Sequence, residues 1–399
     1  MLRIERKEQG SCMSMSAIDA AGGKGEAAYP ALDAIKLVAA IVVVGIHTRP
    51  FLGTPLHGFS CRIDTVAVPF FLISTGFLAV RALDPARPVL DAASAYARRA
   101  RTLLAKYARL SMLYLPLNLF GAWTAGVPAA AVGRNLIYGF LIRGENYFSW
   151  PLWYLLAAGL GCAVIALLLR RGITLRSLGI LSAVLFASGY YFPIWAAEGI
   201  AGPSVVMRLF GSTRNFLMIG IPYLFVGLMM ARYRHVVRAL PIAVPVSGLL
   251  FWLVGAVGIS GDANMPFCAI GAASIFALGI RIAAPRGIAA ARRLSESMYD
   301  FHMIAAVIAA YGVLGYRGSD FILAQEVDHV RLFLLTVGGT LAAAGALGLI
   351  RKARSLGHRP DPRGPRVDAR RRYRGYQGRA AEPIAATRSR FRRLNRTSE

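Results

Sequence analysis

Two ionisable side chains stand inside one apolar run, where a charge is costly and usually tied to function. Residues 32–51 read LDAIKLVAAIVVVGIHTRPF, and within them Lys36 and His47 are eleven residues apart. At 100° per residue that is three turns plus about 20°, so both fall on one helix face, roughly 16 Å apart along the axis. Taken singly, a lysine at such a place often snorkels to headgroups and a histidine often bonds a neighbouring helix. Together they put an anion-binding ammonium at one end of a helix face and a potential general base at the other.

Further polar residues sort into two levels once the apolar runs are oriented. Arg62, Asp64, Trp153, Tyr154, Arg214 and Asn215 fall at the same level as His47. Lys36, Arg98, Arg99, Arg101, Lys106, Tyr299 and His302 fall at the opposite level. Aromatic residues at such levels ordinarily form an interfacial belt, so Trp153 and Tyr154 alone say little. Arg214 beside Asn215 at the start of an apolar run says more, because a guanidinium there needs partners, and Asp64 is the expected one.

The elements that must carry these side chains are membrane helices. The 399-residue chain is 56% hydrophobic and 17% charged, more apolar surface than a soluble domain of this length buries. Runs near 33–51, 64–82, 103–123, 151–169, 177–196, 214–231, 240–259, 265–284, 298–316 and 332–350 are each about the 20 residues needed to cross a bilayer. They predict an all-α polytopic bundle of about ten helices, since lipid tolerates no open sheet edge and the runs are too long and continuous for barrel strands. With the N-terminus in the cytoplasm, the four inner loops hold 17 Lys/Arg and only Asp84 and Asp91, while the five outer loops hold eight basic and seven acidic residues. That asymmetry places both termini in the cytoplasm.

The expected organisation is therefore a cytoplasmic segment over 1–30, a ten-helix domain over 31–351 and a basic tail over 352–399. From Arg351 onward there are 16 Lys/Arg against four Asp/Glu, interspersed with Pro and Gly and without periodicity; this reads as a disordered tail. Such a tail is drawn to anionic membrane lipids by about 1 kcal/mol per nearby basic residue, so the formal charge of +26 does not call for a nucleic-acid partner. The first 28 residues contain no apolar stretch ending in a cleavage site, so no cleavable signal peptide is expected. Cys12, Cys61, Cys162 and Cys268 have no metal-like spacing, and neither a disulfide nor a metal is expected.

Six segments, in order, resemble the acyltransferase 3 family of bacterial membrane proteins. LDAIKLVAAIVVVGIHT resembles its opening helix, with a basic residue, ten residues and then a histidine, here Lys36 and His47. RIDTVAVPFFLISTGFL resembles the Pro-Phe-Phe, Ser, Gly-Phe helix, with Thr75 inserted between Ser74 and Gly76. ARRARTLLAKYARL resembles the Arg-x-x-Arg element, here Arg98 and Arg101, and PLWYLLAAGL the Leu-Trp-Tyr helix. TRNFLMIGIPYLFVG resembles the Arg-Asn-Phe helix, and ESMYDFHMI the late Tyr-x-x-His segment, here Tyr299 and His302. The similarity covers nearly all of residues 30–350.

The family includes O-antigen, exopolysaccharide and Nod-factor acyltransferases and the membrane domain of membrane-bound serine racemases. The resemblance implies a multi-pass protein of the bacterial inner membrane that transfers a short acyl group from cytoplasmic acyl-CoA to a hydroxyl of an extracytoplasmic or lipid-linked saccharide. It implies acyl-CoA as co-substrate with no further cofactor, and His47 as the catalytic residue; Arg214 or Asn215, at the level of His47, is expected to stabilise the oxyanion of the tetrahedral intermediate. Lys36, Arg98, Arg101, Tyr299 and His302 are then expected on the donor side, and Arg62, Asp64, Trp153 and Tyr154 on the acceptor side. The competing reading is an exporter of a small acid or glycolipid, which would also set ionisable groups along a pore. Transporters of that kind usually carry inverted repeats with broken helices in matching positions, and no such repeat is found here.

Overall fold

The computed structural model describes residues 29–83, 89–259, 264–282 and 289–357, and all regular structure among them is helical. The chain divides into two compact units, Met1–Ala346 and Leu347–Glu399; the site lies in the first. Its helices are α1 (Pro30–Thr48), α2 (His57–Asp64), α3 (Ala67–Val80), α4 (Val89–Thr124), α5 (Ala129–Tyr138) and α6 (Trp153–Arg170). There follow α7 (Leu175–Ala197), α8 (Ala201–Phe210), α9 (Ile221–Arg232), α10 (Arg234–Ala239), α11 (Ala243–Gly258), α12 (Met265–Gly279) and α13 (Ala289–Val307). The last helix, α14 (His329–Gly357), continues past residue 350, where the final apolar run was expected to end. Most of the expected tail, from 358 on, and the segment 1–28 lie outside the described residues.

Five stretches among the described residues are long and apolar enough to cross a membrane: Pro30–Thr48, His57–Val80, Trp150–Arg170, Leu175–Ala197 and His329–Ile350. Three further expected crossings are shorter helices, Phe216–Arg232, Ala243–Gly258 and Met265–Gly279. At 1.5 Å per residue these rise about 22–26 Å, short of the ~30 Å hydrocarbon core. The other two are irregular. Residues 103–123 form the apolar half of the 36-residue α4, whose first half is charged. Residues 298–316 are the end of α13 followed by a π-helical turn, Ile308–Val313.

The principal packing pairs are α4 with α6, α3 with α9, α11 with α12, and α1 with α13. Small residues let the second pair close. A Cβ at Gly76 would run into the Leu224 carbonyl, and one at Gly227 into the Ile73 carbonyl, so the two backbones approach as only glycines allow. Tyr96 of α4, fully buried, donates its hydroxyl toward the carbonyls of Gly76 (3.2 Å) and Leu224 (3.0 Å) and ties α4 to that junction. This frame holds α1, α3, α4, α6 and α13 around the polar residues of interest.

Candidate active site

His47 is placed by the way α1 ends. Thr48, fully buried, donates its hydroxyl to the Val44 carbonyl at 2.8 Å. Arg49 then turns into the left-handed region, φ 50°, and its backbone N–H bonds back to the Gly45 carbonyl at 2.8 Å, a cap that usually falls to glycine. The carbonyl of Thr48 accepts from His329 Nδ1 at 2.7 Å, which ties the start of α14 to the end of α1. The imidazole of His47 is thereby turned into the bundle against α13. Its ring centre is 5.4 Å from that of His302, with the planes tilted by 33°.

His302 was expected at the level of Lys36, and the structure puts it beside His47 instead. The apolar run suggested a helix starting near 298, but α13 starts at Ala289, so His302 stands about 20 Å along the helix rather than at its foot. His302 is fully buried, and its Nδ1 faces the carbonyls of Met298 (2.8 Å) and Tyr299 (3.2 Å). Carbonyl oxygens only accept, so Nδ1 carries the hydrogen, and Nε2 of the neutral ring is left with its lone pair. That Nε2 is buried with no hydrogen-bond partner.

Arg214 belongs to the same end. Its guanidinium carbon lies 6.0 Å from the centre of the buried Trp153 ring, a cation–π placement, and it interacts electrostatically with His47, as does Arg49. The carboxylate in its reach is Glu145, not Asp64; Asp64 interacts with Arg49. Burial raises the Glu145 carboxyl above its usual range, with Arg214 and Arg143 opposing. Nothing in the sequence distinguished Glu145, in a loop between apolar runs, from the other acids expected in outer loops. Asn215 is spent on structure. Its Oδ1 accepts from the N–H groups of Leu217 and Met218, each at 3.0 Å, and its Nδ2 donates to the Ser212 carbonyl at 3.3 Å. It caps the π-helical turn Phe216–Gly220 that leads into α9, and so fixes where Arg214 stands. Arg62 is likewise bound to backbone: its Nε donates to the Ala256 carbonyl and holds α2 against α11.

On the other side lies a cavity of about 550 Å³ with a cationic wall, to which Lys36, Arg81, Arg99, Lys106 and Arg292 contribute. Asp33 and Glu296 share that wall, with Lys36 Nζ 3.8 Å from Asp33. Lys106 pairs with Asp300 at 2.7 Å and sits 5.7 Å from the centre of the Tyr299 ring. Arg98 and Arg101 are exposed and do not line it. The helical period explains the exchange: Arg99, Thr102, Leu103 and Lys106 follow at i, i+3, i+4 and i+7 on one stripe of α4, and all four line the cavity. Arg98 and Arg101 lie off that stripe.

Tyr154 and Tyr299 stand between the cations and the imidazoles. Both line the cavity, with ring centres 5.7 Å apart at 65°. Tyr299 donates its hydroxyl to the Pro151 carbonyl at 2.7 Å, and three residues on along α13 comes His302. Tyr154 is 2.8 Å from the hydroxyl of Thr75, the residue inserted between Ser74 and Gly76. So Tyr154 turns toward the cavity and its neighbour Trp153 toward Arg214.

Residues 29–349 match the family model described as Acyltransferase domain, Acyl_transf_3. The chain belongs to the acyltransferase 3 family. It carries the family's acyltransferase domain and, with its several apolar helices, is a membrane protein. Among curated proteins it is similar to an "Amino-acid racemase" of Enterococcus faecalis, 26% identical over 166 residues, which are 41% of this chain. The chain spans about a fifth of that relative's length, the alignment covering 22% of it. No solved structure matches it.

Proposed function

We propose that this acyltransferase 3 protein spans the bacterial inner membrane about ten times, with both termini in the cytoplasm. It transfers a short acyl group from cytoplasmic acyl-CoA to a hydroxyl of an extracytoplasmic or lipid-linked saccharide. The observation that carries the reading is the arrangement along α1 and α13: a cation-lined cavity, then the Tyr154–Tyr299 pair, then the His47–His302 pair. Lys36, Arg99 and Lys106 present the guanidinium and ammonium donors that phosphates take. They share a cavity with Tyr154 and Tyr299, so a pantetheine arm entering from the cations reaches the tyrosines next.

Neutral His47 removes the proton of the acceptor hydroxyl as its oxygen attacks the thioester carbonyl carbon. The C–O bond forms, and Arg214, with Arg49 near, favours the negative charge that develops on the carbonyl oxygen. Collapse breaks the C–S bond, and the imidazolium returns its proton to the departing thiolate, giving the ester and free CoA thiol. His302, held by its Nδ1 hydrogen on two backbone carbonyls, packs its ring against that of His47 and positions it. Of the four residues expected on the acceptor side, Trp153 keeps that place beside Arg214 and Asp64 lies in reach of Arg49, while Arg62 holds a helix and Tyr154 lines the donor cavity.

The test is purified full-length protein in liposomes, supplied with acyl-CoA labelled in the acyl group and an acceptor saccharide, with release of free thiol followed. Acceptor-dependent thiol release is expected, lowered in His47→Ala by about 10²- to 10⁴-fold, the usual contribution of a general base. Turnover in His47→Ala equal to that of the unaltered protein at equal expression would remove the mechanism.

A further inference from the structure

A second cavity, of about 500 Å³, lies between the end of α4, α5 and residues 143–150. Two glycines shape it. The π-helical turn Gly139–Arg143 ends at Gly144, φ 77°, where a Cβ would also strike the backbone of Trp153. The chain is thereby pressed against the start of α6, and Arg143, Glu145, Asn146, Tyr147 and Trp150 all line one hollow. Tyr138, also in the wall, has the Arg143 guanidinium 5.0 Å from its ring centre. The Nε of Arg143 is buried without a hydrogen-bond partner, a donor left with no acceptor.

The hollow lies next to the segment that carries Arg214. Glu145, in its wall, is in electrostatic reach of Arg214, which is in reach of His47. Arg143 abuts Gly211, and the Tyr138 hydroxyl donates to the carbonyl of Arg208 at 3.2 Å, both in the segment leading to Arg214.

We infer that this cavity is the acceptor subsite and that it holds a pyranose ring. The inference rests on the acyl-transfer reading above and adds where the acceptor sits and by which groups it is recognised. Sugar hydroxyls both donate and accept, and a carboxylate, a guanidinium and an amide converging on one hollow provide paired partners for neighbouring hydroxyls. Tyr138, Tyr147 and Trp150 supply flat apolar faces for the C–H side of a ring. The volume falls in the range of about 300–1,000 Å³ that encloses drug-sized ligands, and is over-sized for a free amino acid. An acyl chain would leave the Arg143 and Glu145 groups unpaired.

The experiment is saturation-transfer NMR on purified full-length protein in detergent micelles, without acyl-CoA. The probes are methyl β-glucoside, methyl α-rhamnoside and methyl β-N-acetylglucosaminide, with L-serine as the amino-acid arm. Transfer to at least one glycoside is expected, reduced at least fivefold in Tyr147→Ala and in the shape-conserving Glu145→Gln, and unchanged in Val184→Ala on the exposed face of α7. Thermal unfolding of each variant separates lost binding from lost fold, and Glu145→Gln decides the matter if Tyr147→Ala fails to fold. Transfer to no glycoside, transfer to L-serine alone, or equal transfer in Glu145→Gln overturns the subsite. Thiol release that depends on His47 does not require this cavity, so its persistence alongside a negative NMR result leaves acyl transfer standing while this proposal falls.

Discussion

The cationic cavity and the imidazole end are built by opposite means. Around the cavity, five long, flexible cations arrive from α1, α4, α13 and the residue after α3, and acids beside them take up part of the charge. Recognition of that kind depends on sign and number, so one cation substitutes in part for another. At the other end there is one His47, one His302 and one Arg214, each set by backbone. A left-handed cap and a bond from His329 fix the first, two carbonyls hold the second, and the Asn215 cap stations the third. Redundancy at one end and single, backbone-held groups at the other suit the proposed division between binding a polyanionic donor and moving one proton.

That contrast can be broken most directly at the imidazoles. Beyond the loss expected for His47→Ala, His302→Ala is expected to lower kcat by tenfold or more, about 1.4 kcal/mol of barrier, with KM for acyl-CoA little changed. His302→Asn, whose amide can still bond the Met298 carbonyl, should recover part of it. A His302→Ala enzyme altered only in KM would instead place this histidine with the donor.

Smaller effects are expected at the cations. Arg99→Ala should raise KM for acyl-CoA about fivefold, the size of one partly exposed charge-assisted contact of about 1 kcal/mol, and Arg98→Ala should raise it less. Steady-state kinetics at two ionic strengths checks this, since added salt should shrink the Arg99 effect. A larger loss in Arg98→Ala than in Arg99→Ala would return the donor role to the Arg-x-x-Arg pair.

The smallest effect concerns Glu145, between the two regions in character because it is charged yet half-buried. Its carboxyl is raised by burial, so the folded protein holds that proton to higher pH than the unfolded chain. Stability then falls as pH rises from the unfolded value through the folded one. Thermal unfolding across that window should show a small decline in the unaltered protein that Glu145→Gln lacks. A decline of the same size in both would assign it to another group.

Much of this was legible in the residues. Eleven residues of helix fix the angle between Lys36 and His47 whatever surrounds them, and an all-helical membrane protein follows from apolar runs that lipid cannot solvate in any open-edged form. The family was legible too, because six segments keep their order. Less legible was which basic residue of the cluster 98–101 turns inward. A two-residue shift moves a side chain about 200° around a helix, and only the packing of α4 on α6 selects the stripe of Arg99 and Lys106. The insertion of Thr75 looked like a departure from pattern until its hydroxyl was seen against Tyr154.

The sequence by itself determined the chemical inventory: an imidazole and an ammonium on one helix face, cations in excess, and apolar helices to carry them. Tertiary structure decided which inventory members meet. His302 joins His47 because α13 begins nine residues before its apolar run, Glu145 joins Arg214 because Gly144 lets a loop fold against α6, and Asn215 leaves the chemistry because a helix start needed its amide. Local periodicity is a property of one helix, whereas the height and rotation of each helix relative to its neighbours are set by contacts made far along the chain.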